Sequence, residues 1–321
     1  MSANLEIKTR DRSDIDEALW NDFIVASPQG ANYAMTWYLD IIWPGWQGIH
    51  IFYKKQLYAV MPLRVASKFS IRYALQPMLS QYQGIFFKKM QGRTEKVLAL
   101  KKKLVQAAVD AVQKKRLRQF VIHFAPEFDY PLPFHWAGFK LQARYSYWLD
   151  NQADKQAIFK NFNERTRTYI NKANRSGLMA KEVDSIDELI QLSRQNDSYL
   201  IDYQLLKKIW LALRQKKVGR ALEVRDEKGT LHAGLVYQIS GRKQIHLFSA
   251  KNPTLANFGG MSLAIWESIR QAGEEILVHD FEGSMLQPVE HFFRGFGPHP
   301  VPYLRISKNN FPRPIQWWFD S

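Results

Sequence analysis

The chain has no cysteine among its 321 residues, which removes a disulfide framework, thiolate catalysis and any cysteine-ligated zinc or iron–sulfur centre. That composition gives no sign of an oxidising compartment, and a cytoplasmic setting is expected. Long apolar runs are missing too. A membrane-crossing helix needs about 18 consecutive apolar residues, and even the aromatic-rich stretch from Tyr33 to Tyr53 is broken by Asp40, Pro44 and Gly45. The stretch from Met1 to Arg12 alternates polar and apolar residues and then turns acidic, so no secretory leader is expected there. The eight histidines show no His-x-x-x-His spacing and no Gly-x-Ser-x-Gly elbow occurs, so neither a metal site nor a serine nucleophile is expected.

What is present is apolar and basic. A chain of this length with 46% hydrophobic residues can bury substantial cores and is expected to form two domains. A formal net charge of +15 attracts polyanions such as nucleic acid, anionic headgroups or phosphate-bearing small molecules, or else serves solubility alone. Local clusters lie at Lys101-Lys102-Lys103, at Lys114-Lys115-Arg116 and from Arg165 to Arg175.

The sequence repeats itself. Ser13-Asp14-Ile15-Asp16-Glu17-Ala18-Leu19 returns as Asp184-Ser185-Ile186-Asp187-Glu188-Leu189-Ile190. Each has an N-capping residue and an acidic first turn, followed by Leu19 and Phe23 or by Leu189 and Leu192 at helical spacing. Hairpin signals follow in both copies, turning at Lys54-Lys55 and at Glu227-Lys228-Gly229. Helical stripes come next, Val97, Leu100, Leu104 and Ala108 in one copy and Met261, Ile265 and Ile269 in the other. Phe120 to Phe124 and Ile276 to Phe281 read as buried strands, each leading to a Gly-Phe turn and a last strand. This order predicts two mixed α/β modules, residues 1–150 joined by the tail 309–321, and residues 151–308.

A basic linker helix over 154–176 is expected to open the second module. Ile158, Phe159, Phe162, Tyr169, Ile170 and Ala173 form its apolar face, with Lys160, Arg165, Arg167, Lys172 and Arg175 opposite. The basic face is either solvated or part of a ligand site between modules. The tail Phe311-Pro312-Arg313-Pro314-Ile315-Gln316-Trp317-Trp318-Phe319 is expected to pack on the first module, with a peripheral membrane anchor as the alternative.

Chemistry-bearing residues concentrate in the second copy. After the strand Gln244 to Ala250, a polar loop containing Asn252 reaches Gly259-Gly260 directly before a helix, where free amides bind phosphate or carboxylate. The strand beginning Ile276-Leu277-Val278 turns polar at His279-Asp280-Phe281-Glu282-Gly283-Ser284. Alternation predicts that Asp280 and Glu282 share one face, as a paired acidic site or as a solvated strand end. The first copy has His123-Phe124-Ala125-Pro126 there, which reserves activity for the second. His246 reads as a packed strand histidine.

Several of these stretches resemble the Fem-type peptidyltransferases and the related BioF/CelD-like acetyltransferases of the GNAT fold. Arg165-Thr166-Arg167-Thr168-Tyr169-Ile170-Asn171-Lys172-Ala173 is similar to their "TRxxIRKA" helix, Asp280-Phe281-Glu282-Gly283 to "DFxG", and Phe292 to Gly297 to "FKxxFG". The resemblance implies tandem GNAT modules with a substrate channel between them, transferring an acyl or aminoacyl group to an amine. Phe293 stands where the family commonly has a lysine near an aminoacyl donor, and Asn257 to Ser262 meets the coenzyme A pyrophosphate signature only in part. An acyl-CoA co-substrate is therefore expected in preference to aminoacyl-tRNA, with no metal and with a small-molecule or nucleotide-linked amine as acceptor.

In that reading Glu282 or Asp280 is the general base, and Gly259, Gly260, Ser249 and Asn252 hold the donor. Arg165, Arg167, Lys172, Tyr237 and Arg294 would bind substrate. The competing expectation is a non-catalytic protein on the same fold that binds RNA or an anionic membrane surface.

Overall fold

The computed structural model describes residues 5–151, 153–195, 201–283 and 285–312. The chain forms two compact units, one running to Arg144 and taking in the segment from Pro302, the other spanning Tyr145–Val301.

The first unit opens with β1 (Leu5–Asp11), α1 (Glu17–Ala26), α2 (Thr36–Ile42), β2 (Gln47–Tyr53) and β3 (Gln56–Leu63). It continues through β4 (Ala66–Lys68), β5 (Ile71–Leu75), β6 (Phe86–Phe87), α3 (Thr94–Lys114), β7 (Gln119–Phe124) and α4 (Leu132–Trp136). Strand β8 (Lys140–Asp150) leads into the second unit. There follow α5 (Lys155–Asn161), α6 (Glu164–Arg175), β9 (Met179–Glu182), α7 (Asp187–Arg194) and α8 (Tyr203–Gln215). After these come β10 (Gly219–Arg225), β11 (Leu231–Ser240), β12 (Lys243–Lys251), α9 (Gly260–Arg270), β13 (Val278–Asp280) and α10 (Gln287–Arg294). Strand β14 (His299–Asn309) returns to the first unit.

Each unit combines parallel and antiparallel strand pairs with helices, so the duplicated α/β architecture expected from the internal repeat is the one observed. In the first unit, β1-β2-β3-β6 form an antiparallel sheet, while β5 and β7 run parallel and β14 lies antiparallel to β7. In the second, β9, β10, β11 and β12 are antiparallel neighbours and β13 joins β12 in parallel. A parallel join requires a crossover, and α9 supplies it.

Local chemistry sets the helix starts. Asp16 caps α1 by accepting the Leu19 amide at 3.0 Å, and Asp202 caps α8 through Leu205 N at 2.9 Å, each satisfying a donor that the helix leaves unpaired. The face of α1 that packs inward carries Trp20 and Ile24, and Leu19 points to solvent at 68% exposure, so the expected stripe of Leu19 and Phe23 is displaced by one position. The bulkier indole wins the core, where it meets Trp46 at 4.9 Å. In α7 the expected Leu189 and Leu192 are buried.

The linker is two helices and not one. Asn163 accepts the Thr166 amide at 2.8 Å, starting a new helix where Phe162 and Asn163 are extended, so the apolar face is delivered from two directions. Ile158, Phe162, Ile170 and Ala173 enter the core of the second unit beside Trp266 and Phe296. Residues 313–321, which hold most of the aromatic tail, lie outside the described residues.

Candidate functional site

The sheet of the second unit opens at β12. Its pairing with β13 covers only Lys243↔Val278, Gln244↔His279 and Ile245↔Asp280. Beyond that point the Phe281 amide donates to Tyr147 O of β8 at 3.0 Å, so the chain leaving β13 follows β8 and parts from β12. From His246 onward the described pairing of β12 is with β11. The β11 pairing also slips here. Val236 opposes Phe248 and Tyr237 opposes His246, which leaves Leu247 as the extra residue of a β-bulge. Two irregularities thus coincide where a parallel pair separates at its carboxyl ends.

At the far end of β12, the loop reaches α9. Gly259 takes a left-handed φ of 86°, and a Cβ there would sit 2.2 Å from Tyr169 O of α6. Only glycine permits that approach. Gly259 gives α9, an 11-residue helix, no side-chain cap for its first amides. Lys172 of α6 meets the same loop: Nζ donates to Asn257 O at 3.1 Å and lies 5.0 Å from the Phe258 ring. A cation and an uncapped helix start therefore stand together.

Asp280 ends β13 at 2% exposure. Its Oδ1 accepts from Ser146 Oγ at 2.5 Å and from the Glu282 amide at 2.9 Å, and Oδ2 is buried with no partner at hydrogen-bond geometry among the described residues. Burial pushes its carboxyl above the ordinary value, against the pull of the Ser146 hydrogen bond. Glu282 lies past the end of the strand with φ 56°, so the two acids do not share a strand face as the alternation predicted. The amide–carboxylate turn rotates Glu282 out of register and leaves it half-buried. Gly283 follows with φ 43°, its Cα close enough to β8 that a Cβ would fall 2.0 Å from Tyr145 O. Ser284 lies outside the described residues.

Beside Asp280 is a cavity of about 20 Å³, lined by Tyr237, His246, His279 and Phe281 among others. That is room for about one water. Burial pushes Tyr237 up to about 12 and holds His246 down to about 4, so both are neutral near pH 7. The His246 ring packs on Phe293 at 5.7 Å. The sequence marked it as a packed strand residue. Its place at the parting of β12 and β13 follows from pairing with distant strands, which no local pattern encodes.

The remaining expected residues divide. Ser249 is half-buried on β12 opposite Leu235. Asn252 is occupied in shaping the loop, donating to Leu231 O at 3.0 Å and accepting from Thr254 N. Arg165 is exposed over the Tyr169 ring at 5.7 Å, whereas Arg167 donates to Lys160 O at 2.8 Å and closes the end of α5. Arg294 pairs with Glu290 on its own helix at 3.2 Å. Lys172 alone of these cations reaches the glycine loop in a hydrogen bond. Ser146, the partner of Asp280, carried no signal in its local sequence.

The stretches behind the family resemblance meet in one joint. Phe281 stacks on Phe293 at 5.2 Å and lies 5.8 Å from Phe296. A Cβ on Gly295 would fall 2.4 Å from Thr166 Oγ1 of α6, and the Asn163 amide donates to Gly295 O at 2.9 Å. Phe293 is 8% exposed, so the position that carries lysine in the resembled family is part of an aromatic core here.

This architecture is the tandem GNAT fold. The chain is similar to FemX, at 13% identity over 98% of this chain and 100% of that one with a TM-score of 0.71. It is also similar to a tandem GNAT protein from the clavulanic acid biosynthesis pathway, at 12% identity, 96% and 99% coverage and a TM-score of 0.56. L-PGS from Bacillus licheniformis matches at 13% identity, 94% of each chain and a TM-score of 0.52. No family profile matches the sequence, and no curated protein is significantly similar to it. Among the described residues no helix is long and apolar enough to cross a membrane.

Proposed function

We propose that the chain is an N-acyltransferase whose second unit takes an acyl-CoA thioester and transfers the acyl group to an amine. The observation that carries this reading is the opening between β12 and β13, with the Leu247 bulge at its root and the uncapped α9 at its end. A thioester lying along the edge of β12 that parts from β13 would find backbone donors there to stabilise charge on its carbonyl oxygen as the amine attacks. The pyrophosphate would rest on the first amides of α9 beside Lys172.

The amine nitrogen bonds to the acyl carbon, the carbon–sulfur bond breaks, and coenzyme A leaves as the thiolate. The proton lost by the nitrogen passes to Glu282, directly or through one water, and from there to the departing sulfur. Asp280 is too buried to meet the amine and acts as a positioning residue, fixing Glu282 through its amide. An acyl-CoA is favoured over aminoacyl-tRNA because Phe293 places an aromatic ring, not a cation, against Phe281. The acceptor is a small-molecule or nucleotide-linked amine, with Arg165, exposed on α6, as a candidate contact. The cytosol, where acyl-CoA is made, is the natural setting.

Thiol release from acetyl-CoA across a panel of amines tests the reading. Glu282→Gln should fold normally and lose on the order of 10²–10⁴ in kcat, with acetyl-CoA affinity retained. Full turnover in that variant would remove the base assignment. Absence of any acyl-CoA binding, together with RNA binding that falls steeply with salt, would favour the polyanion-binding alternative.

A further inference from the structure

The hairpin of β4 and β5 in the first unit ends in a two-residue turn of Phe69 and Ser70, with φ values of 50° and 62°. Such turns favour asparagine and glycine, because other side chains crowd the backbone in the left-handed region. A phenylalanine held there bears that cost, and it is also 88% exposed, a second cost for the largest apolar side chain of the turn. Ile71, opposite Lys68 across the hairpin, is 37% exposed. Lys68 Nζ lies 5.6 Å from the Phe69 ring centroid, a cation–π contact that leaves the ring exposed.

Directly behind the tip lies a cleft of about 440 Å³ lined by Gln47, Ser67, Ser70, Arg72 and Lys115, with Gly45 leaving space at its edge. Lys115 Nζ donates to Gln47 Oε1 at 2.7 Å, and Gln47 Nε2 donates to Asp11 Oδ1 at 2.6 Å. Burial and the charge of Arg72 both push the Lys115 ammonium below its ordinary value, which an anion entering the cleft would reverse. Lys114 and Arg116 are exposed on either side of Lys115, and the Arg118 amide donates to Arg72 O at 2.8 Å, so the basic end of α3 adjoins the hairpin.

We propose that this hairpin is a docking finger for an anionic lipid bilayer, with Phe69 entering the membrane interface and a lipid phosphate seated in the cleft between Arg72 and Lys115. An apolar tip ringed by cations is the complement of a surface whose outer layer is anionic and whose next layer is hydrocarbon. A single-stranded nucleic acid is the poorer fit, because it needs successive rings on which successive bases stack, and the tip offers one.

The test is cosedimentation of the full chain with vesicles of phosphatidylcholine alone or with a third of phosphatidylglycerol. The wild type should bind the anionic vesicles, weakly in high salt, and bind neutral vesicles poorly. Phe69→Asn suits the left-handed turn and should fold at least as well, yet bind roughly tenfold more weakly. Phe69→Trp should restore binding. Arg72→Gln and Lys115→Gln should each cost about fivefold and flatten the salt dependence. The proposal is overturned if anionic vesicles do not sediment the protein, or if Phe69→Asn binds them like the wild type. It is equally overturned if the two cations matter only for inorganic phosphate or RNA.

Discussion

Ser146 of β8 donates to Asp280 of β13 at 2.5 Å, and the same Oδ1 atom holds the Glu282 amide at 2.9 Å. One carboxylate oxygen thereby ties two strands and the turn that presents the candidate base. Asp280→Ala would orphan both donors, each costing about 1–3 kcal/mol when buried. The variant should lose about 2–4 kcal/mol in urea denaturation, whereas Asp280→Asn keeps the Oδ1 acceptor and should lose far less. The carboxyl is raised above its ordinary value, so between that value and the raised one the folded state binds more protons than the unfolded state, and this contribution to stability declines as pH rises. The stability of the wild type minus that of Asp280→Asn should therefore fall as pH rises above the ordinary carboxylate value. A difference that is flat with pH would contradict the assignment.

Histidines act with the opposite sign. His123 and His246 are held at about 4 and His279 at about 3, chiefly by burial, so between these values and 6.5 the unfolded chain binds protons that the folded chain does not. Stability then drops as pH falls through that window, by about 1.4 kcal/mol per pH unit for each histidine. His279 Nε2 lies 3.2 Å from Asn151 Oδ1, an acceptor that a neutral ring can satisfy from Nε2. His279→Gln can keep that hydrogen bond and should remove one histidine's share of the slope between pH 5 and pH 6.5. Melts of the variant that parallel the wild type across this range would show that His279 titrates normally.

Much of the fold was readable because its signals are local. Capping by Asp16, the Lys54-Lys55 turn and the Leu189 and Leu192 stripe depend on residues within a few positions of one another, and the repeated order of such signals carried the duplication. Where the reading failed, a distant partner decided. Trp46 drew Trp20 inward in place of Leu19, and Asp280 turned Glu282 off its strand face through a hydrogen bond that alternation cannot foresee. The glycine loop was legible as a turn before a helix, yet its contact with Tyr169, some 90 residues earlier in sequence, was not. Phe69 gave no sign at all, since a phenylalanine between lysine and serine reads as ordinary strand until its turn geometry is known.

Gly259 can be tested on backbone grounds alone. Its φ of 86° disfavours any side chain, and the atom that a Cβ would strike is the Tyr169 carbonyl oxygen, which belongs to a helix and cannot swing aside. Gly259→Ala should cost about 2–4 kcal/mol, combining the left-handed penalty with overpacking. Gly229 offers the control: it is also left-handed, at φ 83°, but a Cβ there meets nothing within 4 Å. Gly229→Ala should lose only the backbone share, about 1–2 kcal/mol. Equal losses in thermal and urea unfolding would mean that α6 yields at Tyr169.

Lys172 separates the proposed donor site from the fold that surrounds it. Its ammonium reaches Asn257 O and lies over Phe258 at the surface, so its contribution to stability is small, within about 1 kcal/mol. On the acyl-CoA reading the same ammonium faces a pyrophosphate, where a charge-assisted hydrogen bond is worth about 1.5–3 kcal/mol. Lys172→Met keeps an apolar stem against Phe258, so unfolding should be nearly unchanged while the dissociation constant for coenzyme A rises roughly tenfold or more. The wild-type affinity should weaken with added salt, and that of the variant should weaken less, because one fewer charge is screened. Calorimetric titration of both proteins at two ionic strengths decides it: matched affinities and matched salt dependence would place the pyrophosphate somewhere other than the start of α9.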